Sequence, residues 1–357
     1  MLTEKEKLVV LLSLYDVSNK KQERIFEKFE DVESVSKAVG SDDFQSELSS
    51  AEIEKIVDEF DENKFNNIVS NIENACIRVL TVFSKDYPNS LIDLPDRPMI
   101  LYAKGDLSLI EKDTLAVVGT RVPSNYGKVV VEKFVGKLAE SGFVIVSGLC
   151  YGVDEIAHKK TLEVGGKTIA VVGSGFNKIY PAINAHLANE IAEKGLLLSE
   201  YPPSYIAKKY TFPRRNRIVA GLSNGVLIPE AGLKSGTVYT KDFALEYGKD
   251  VFAVPGSILN PKSELPNQLI KTAQAECVVD ADDIIKYYGK EFSKEKKTVS
   301  VTFDEQAILD LLADGEKVFD YLAEKSQIPV KTLNGCLTTL EIRGLIKKLP
   351  AQTYAII

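Results

Sequence analysis

The chain has 357 residues, 45% of them hydrophobic, which is enough for two or three domains with real cores and excludes a disordered chain. No segment is long and apolar enough to cross a bilayer, and the start Met-Leu-Thr-Glu-Lys-Glu-Lys has no apolar signal region, so a cytoplasmic location without a membrane partner is expected. The net charge of −7 argues against an anionic partner only until it is divided by region. Residues 1–75 carry 18 acidic and 9 basic side chains, residues 76–299 carry 25 and 29, and residues 300–357 carry 8 and 6, so the basic surplus sits in the middle. Cys76, Cys150, Cys277 and Cys336 lack CxxC spacing and read as reduced thiols; with only two histidines, no metal site is expected.

In chain order, helical periodicity at 7–14, 22–29 and 51–60 predicts a small acidic helical domain over 1–75. Strand-like runs at 77–83 and 99–103, punctuated by Pro88, Pro95 and Pro98, predict an extension of the edge of the next domain. From 113 the pattern alternates. Strands are predicted at 115–118, 143–146, 168–172, 196–198, 226–228 and 251–254, with helices beginning near Tyr126, Val153, Ile183, Pro213, Ser235 and Ser263. Such alternation means a mainly parallel sheet covered on both faces, an α/β, Rossmann-like, doubly wound domain over 76–289. A charged linker over 290–300 leads to residues 301–357. There, helices at 304–312, 317–325 and 330–342, the last ended by Gly344, and a hairpin of 345–349 with 354–357 fit a winged helix.

Ligands of doubly wound sheets bind beyond the carboxyl ends of the strands. The first such end, Gly119-Thr-Arg121, enters a Gly-bounded turn and then a helix, so an anion is expected at that helix N-terminus, with Arg121 as a forked cation beside it. The run Lys208-Lys-Tyr-Thr-Phe-Pro-Arg-Arg-Asn-Arg217 holds five cations and no acid. Cations in a first helical turn oppose the helix dipole, a penalty that an external anion reverses, and Arg214 with Arg217 at i, i+3 can share one face. Phe176, Tyr180, Tyr210 and Phe212 lie beside these loops; they suit stacked bases, although core packing is the commoner role of any one ring.

Other chemistries are poorly supported. Gly119 and Gly127 are too far apart for GxGxxG, no acid ends the second strand, and there is no GxxxxGK[ST], so no cofactor is expected. Asp154 and His158, four apart with Ser147 nearby, suggest a hydrolase only weakly without a GxSxG elbow; a helix-start carboxylate and a packed imidazole is the preferred reading, and no residue is assigned as catalytic. The alternative function is an enzyme, a nucleotide phosphoribohydrolase using Glu230 and Arg121 in one cleft. The stretch Pro229-Glu-Ala-Gly-Leu-Lys-Ser-Gly-Thr237 is similar to the phosphate-gripping turns of those enzymes, without reproducing their Pro-Gly-Gly-x-Gly-Thr motif.

Taken together, Gly119-Thr-Arg-Val-Pro-Ser-Asn-Tyr-Gly127, Ser147-Gly-Leu-Cys-Tyr-Gly-Val-Asp-Glu-Ile-Ala-His158, Ser199-Glu-Tyr-Pro-Pro203, Phe212-Pro-Arg-Arg-Asn-Arg-Ile-Val-Ala-Gly-Leu-Ser223, Glu230-Ala, Ser235-Gly-Thr237 and Val254-Pro-Gly256 resemble the DNA-processing protein A family, DprA or Smf. The resemblance implies a non-catalytic binder of single-stranded DNA that protects incoming strands in natural transformation and helps load RecA recombinase, acting as a homodimer. It also implies that Gly119, Thr120, Arg121, Ser124, Gly148, Gly173, Gly175, Phe176, Lys178, Arg214, Asn216, Arg217, Ser235, Gly236, Thr237 and Lys241 meet the nucleic acid. Asn267, Leu269 and Ile270 would face a second copy or a partner. The chain departs from the family in Cys150-Tyr151, where Ala-Arg is usual, in the lack of glycines around Asn267, and in an N-terminal turn at 16–20 without a glycine hairpin.

Overall fold

The computed structural model describes residues 3–15, 17–28, 62–290, 301–343, 345–349 and 352–356. The helix expected over 51–60, the linker after Lys290 and the helix stop at Gly344 lie outside the described residues. The chain divides into two compact units, residues 1–293 and 294–357.

Three helices open the first unit: α1 (Glu4–Leu14), α2 (Asn19–Lys28) and α3 (Glu62–Asn74). Helix α1 begins in a capping box, in which the Thr3 side chain accepts from the Glu6 amide while the Glu6 carboxylate accepts from the Thr3 amide. Val9, Val10 and Leu12 of α1, Ile25 of α2, and Phe65 and Ile72 of α3 form one core with Val79 of β1 (Arg78–Thr81) and with Ile100 and Tyr102 of β2 (Ile100–Gly105). Packing is therefore continuous across residue 75.

The remaining strands are β3 (Thr114–Val117), β4 (Val144–Ser147), β5 (Thr168–Val172), β6 (Leu196–Ser199), β7 (Gly225–Ile228), β8 (Asp250–Ala253) and the short β9 (Glu276–Cys277). The sheet order is β1-β2-β6-β5-β4-β3-β7-β8-β9. From β6 to β9 the pairs are parallel, and β1 and β2 add an antiparallel edge. Both faces are buried because alternate residues feed opposite cores: Leu115, Val117 and Ile145 one, Ala116, Val144 and Val146 the other. The chain winds outward from β3 to β6, then returns to lay β7 on the other side of β3. That reversal opens a crevice between the carboxyl ends of β3 and β7.

The crossover helices start within two residues of the positions expected: α4 (Asn125–Glu140), α5 (Val153–Glu163), α6 (Ala185–Lys194), α7 (Thr211–Gly221), α8 (Thr237–Glu246) and α9 (Glu264–Lys271). Among the described residues no helix is long and apolar enough to cross a membrane.

The second unit carries α10 (Phe303–Leu312), α11 (Phe319–Ser326), α12 (Val330–Ile342) and a sheet of β10 (Lys317–Val318), β12 (Thr353–Ile356) and β11 (Ile346–Leu349), in that order. The expected helix at 317–325 begins two residues later, because Lys317 and Val318 pair with Tyr354 and Thr353 as a third strand. Ile308, Leu322, Leu333, Leu337 and Ile346 give this winged-helix unit its own core.

Candidate functional site

A cleft of about 600 Å³ lies in the crevice. Strand β3 runs out into Val118, Gly119, Thr120 and Arg121; β4 delivers Gly148 and Cys150; α7 and the loop before it present Lys209, Phe212, Arg215 and Asn216; and Ser235, Gly236, Thr237 and Tyr239 form its wall at the start of α8. Two backbone bonds anchor the β3 loop, Thr120 N–H to the Glu230 carbonyl at 2.8 Å and Val153 N–H to the Thr120 carbonyl at 3.2 Å. Gly152, at φ +77°, lets α5 start against this loop, since a β-carbon there would collide with the Thr120 and Arg121 backbone. Arg121 is exposed and lies 5.7 Å from the Phe212 ring centroid, and Phe212 meets the edge of Tyr180 at 5.5 Å.

Arg215 forms the floor. Its guanidinium donates to the carbonyls of Gly148 and Val171, to Cys150 Sγ at 3.5 Å and to Asn216 Oδ1 at 3.1 Å, so none of these acceptors is a carboxylate. A buried cation bound to neutral acceptors keeps much of its field, and the field reaches the cleft. Asp154, also in the lining, interacts with this charge; burial pushes its carboxyl above the usual range, against the pull of Arg215. Helix α8 starts at Gly236 with no acid in its first turn, and the Thr237 amide is held by the Ser235 hydroxyl at 3.2 Å, so the positive end of the helix dipole meets the cleft without a counter-charge of its own.

The cleft brings together eight of the residues predicted to meet nucleic acid: Gly119, Thr120, Arg121, Gly148, Asn216, Ser235, Gly236 and Thr237. Others are placed elsewhere. Arg217 is 1% exposed and donates to Glu200 Oε1 at 2.6 Å and to Asp96 at 3.2 Å. Arg214 donates to the same Glu200 oxygen at 3.2 Å and to Asn19 Oδ1 at 3.1 Å. The two arginines do share a face, but that face is turned toward a buried acid and α2, not toward a phosphate. Lys241 pairs with Asp242 beyond the first turn of α8. Gly175 packs on Pro202 and Pro203, Phe176 sits between two apolar cores, and Lys178 is exposed outside the cleft. Gly173 lies behind Thr211 and Phe212 and is not itself in the lining.

The anion expected at the N-terminus of α4 is supplied by the protein itself. Ser124 caps α4, and the fully buried Glu230 carboxylate accepts from the Ser124 amide at 2.8 Å, the Ser124 hydroxyl at 2.6 Å and Asn260 at 3.1 Å. Neither Ser124 nor Glu230 lines the cleft, so the phosphoribohydrolase pairing of Glu230 with Arg121 has no common space to act in. Of the expected partner surface, Leu269 is 1% exposed, while the partly buried Asn267 exchanges two hydrogen bonds with the Gly256 backbone and the partly buried Ile270 packs on the main core.

Asp154 Oδ2 accepts from the Cys150 amide at 3.2 Å, and His158 is buried with Nδ1 2.7 Å from Thr168 Oγ1, so the two are a helix-start carboxylate and a packed imidazole. Burial raises the Cys150 thiol, assisted by Asp154, which disfavours a thiolate nucleophile. Among the described residues no group of three or more His, Cys, Asp or Glu side chains could hold a metal ion. Sequence reasoning missed Arg215 and Lys209, although both sit in the basic run it singled out.

A doubly wound sheet with a cationic, acid-poor cleft at its switch point, joined to a winged-helix unit, defines a Rossmann-like binding protein suited to an anionic ligand. The chain belongs to the DNA recombination-mediator protein A family, whose model matches residues 78–289, and the DprA winged helix domain matches residues 293–352. It is 40% identical to the DNA processing protein DprA of Bacillus subtilis, over 62% of this chain and 75% of that protein. It is 39% identical to Protein Smf of Escherichia coli, over 75% and 74%. The X-ray structure of DprA from Streptococcus pneumoniae superposes with a TM-score of 0.70 at 32% identity, covering 81% of this chain and 99% of that one. A Helicobacter pylori DprA structure, described in terms of its single-stranded DNA binding mode, superposes with a TM-score of 0.55 at 34% identity, covering 59% and 95%.

Proposed function

We propose that this protein binds single-stranded DNA through its phosphates in the cleft, protects the strand and, as a homodimer, helps load RecA recombinase during natural transformation. The observation that carries the reading is the charge arrangement. Arg121, Lys209 and Arg215 and the acid-free start of α8 converge on one cleft in which, among the described residues, the buried Asp154 is the only lining acid. Arg121, Asn216, Ser235, Gly236 and Thr237 are the residues assigned to phosphate contact. Phe212 and Tyr180 at the rim offer ring faces to unpaired bases, which a duplex keeps stacked inside. Membership of a recombination-mediator family supports the recombinase step.

Anisotropy titrations of labelled single-stranded and duplex DNA of equal length test the reading. Preference for the single strand by about tenfold or more is expected; equal affinity would sink it. The recombinase step is tested by following RecA filament growth on the protein-coated strand, which should start sooner than on strand coated with a single-strand-binding protein alone.

A further inference from the structure

We infer that a single strand leaving the cleft continues onto a second contact, a base stacked on Tyr210, and that Tyr205 and Lys208 are the residues that position this ring. The inference rests on the single-strand reading of the cleft and extends its path. Lys209 and Phe212 line the cleft, and Tyr210 stands between them in the chain, 47% exposed, immediately before α7. An aromatic ring so open to water at the mouth of a binding cleft is held here by specific contacts. The Tyr210 hydroxyl lies 2.7 Å from the Tyr205 hydroxyl. Tyr205 stacks on the buried Tyr201 with centroids 4.6 Å apart and planes 21° from parallel. The Lys208 ammonium sits 5.1 Å from the Tyr205 centroid and 5.5 Å from that of Tyr210.

The loop carrying these rings is tied at both ends. The Gly175 amide donates to the Tyr205 carbonyl at 2.9 Å, and the Thr211 amide donates to the Lys208 carbonyl at 3.0 Å. A ring fixed in this way loses little freedom when a base settles on it, and preorganisation of that kind favours binding. The chemistry of the surroundings suits a polyanion: no Asp or Glu occurs between Glu200 and Glu230, while Lys208 and Lys209 are both exposed. A phosphate drawn to Lys208 would place its base over a neighbouring ring, the combination that sequence-tolerant single-strand binders use.

The test uses the full chain and two probes of equal length and charge, oligothymidylate and the same backbone without bases. Tyr210→Leu should weaken binding to oligothymidylate about tenfold and leave the abasic strand unchanged, whereas Tyr210→Phe, which keeps the ring and loses only the hydroxyl contact with Tyr205, should weaken oligothymidylate binding by less than Tyr210→Leu does and also leave the abasic strand unchanged. An equal effect of Tyr210→Leu on the two probes, or none on either, overturns the stacking contact. Photocrosslinking of the unaltered protein to an iodouracil-substituted strand gives an independent readout: adducts at Tyr210 support the proposal, and adducts confined to cleft residues such as Phe212 refute it. Arg121→Ala separates the two levels of argument. It should weaken both probes alike; if it changes neither while the parent binds, the phosphate reading of the cleft fails, whatever Tyr210 does.

Discussion

The Glu230 carboxylate fills the space that a β-carbon on Gly127 would need. Helix α4 therefore carries its counter-ion inside the fold, 106 residues away in sequence at Ser124, and the β3 loop is bound to the end of β7 by the same group. Gly127→Ala should cost at least about 2 kcal/mol, because the carboxylate is also fixed by Ser124 and Asn260 and has nowhere to go. Glu230→Gln should cost roughly 3 kcal/mol, since an amide presents an N–H where one of the carboxylate's donors now points. Urea titration reads both; an unchanged midpoint in either variant would contradict a fixed, buried carboxylate.

Arg121 and Arg217 should separate cleanly into binding and stability. Arg121→Ala should leave the unfolding midpoint nearly unchanged, weaken binding to all sequences alike, and flatten the dependence of log affinity on log salt by about 0.7. Arg217→Ala leaves Glu200 buried with less compensation, so a loss of roughly 3–5 kcal/mol in stability is expected, with the salt slope of the folded fraction unchanged. A flattened slope for Arg217→Ala would mean that the Glu200 pair opens in the complex.

His158 gives a pH dependence with a definite sign. Burial, with the charge of Arg215 adding to it, lowers its pKa from 6.5 to about 3. The unfolded chain therefore binds a proton that the native state refuses between these values, so the contribution of His158 to stability is complete above about pH 6.5 and is lost as pH falls toward 3. In that window the slope from this group should approach about 1.4 kcal/mol per pH unit. Thr168 spends its hydroxyl proton on the Ile145 carbonyl at 2.6 Å, so it accepts from His158 Nδ1–H, and Nε2 holds the lone pair. Nitrogen NMR at pH 7 should report a protonated Nδ1 and an unprotonated Nε2, and His158→Gln should flatten the acid limb of the stability curve.

The winged-helix unit has its own core and a net charge of −2 over residues 300–357, poor grounds for a DNA footprint. A chain ending at Lys290 should keep most of its single-strand affinity. A loss beyond about tenfold, roughly 1.4 kcal/mol, would assign the unit a direct share of binding.

The strand and helix alternation of this protein is written locally. Buried parallel strands must be short apolar runs, and each here is followed by small or turn-forming residues such as Gly119-Thr120, Ser147-Gly148 and Gly173-Ser174, so sheet class, winding and the edge that carries the cleft follow from sequence alone. The regional charge and the basic run at 208–217 are equally local, and they place the cationic surface in the right domain. What only the tertiary structure decided is the direction in which each charge points. Spacing of i, i+3 puts Arg214 and Arg217 on one face of α7 but cannot say whether that face looks outward. Glu200, at the end of β6, and Asn19, in α2, draw it inward and leave Arg215 to the cleft. The same holds at α4, where an anion was expected and the ion proved to be Glu230. A helix terminus or an arginine needs a counter-charge, and only the folded chain determines whether that charge comes from within or from a ligand.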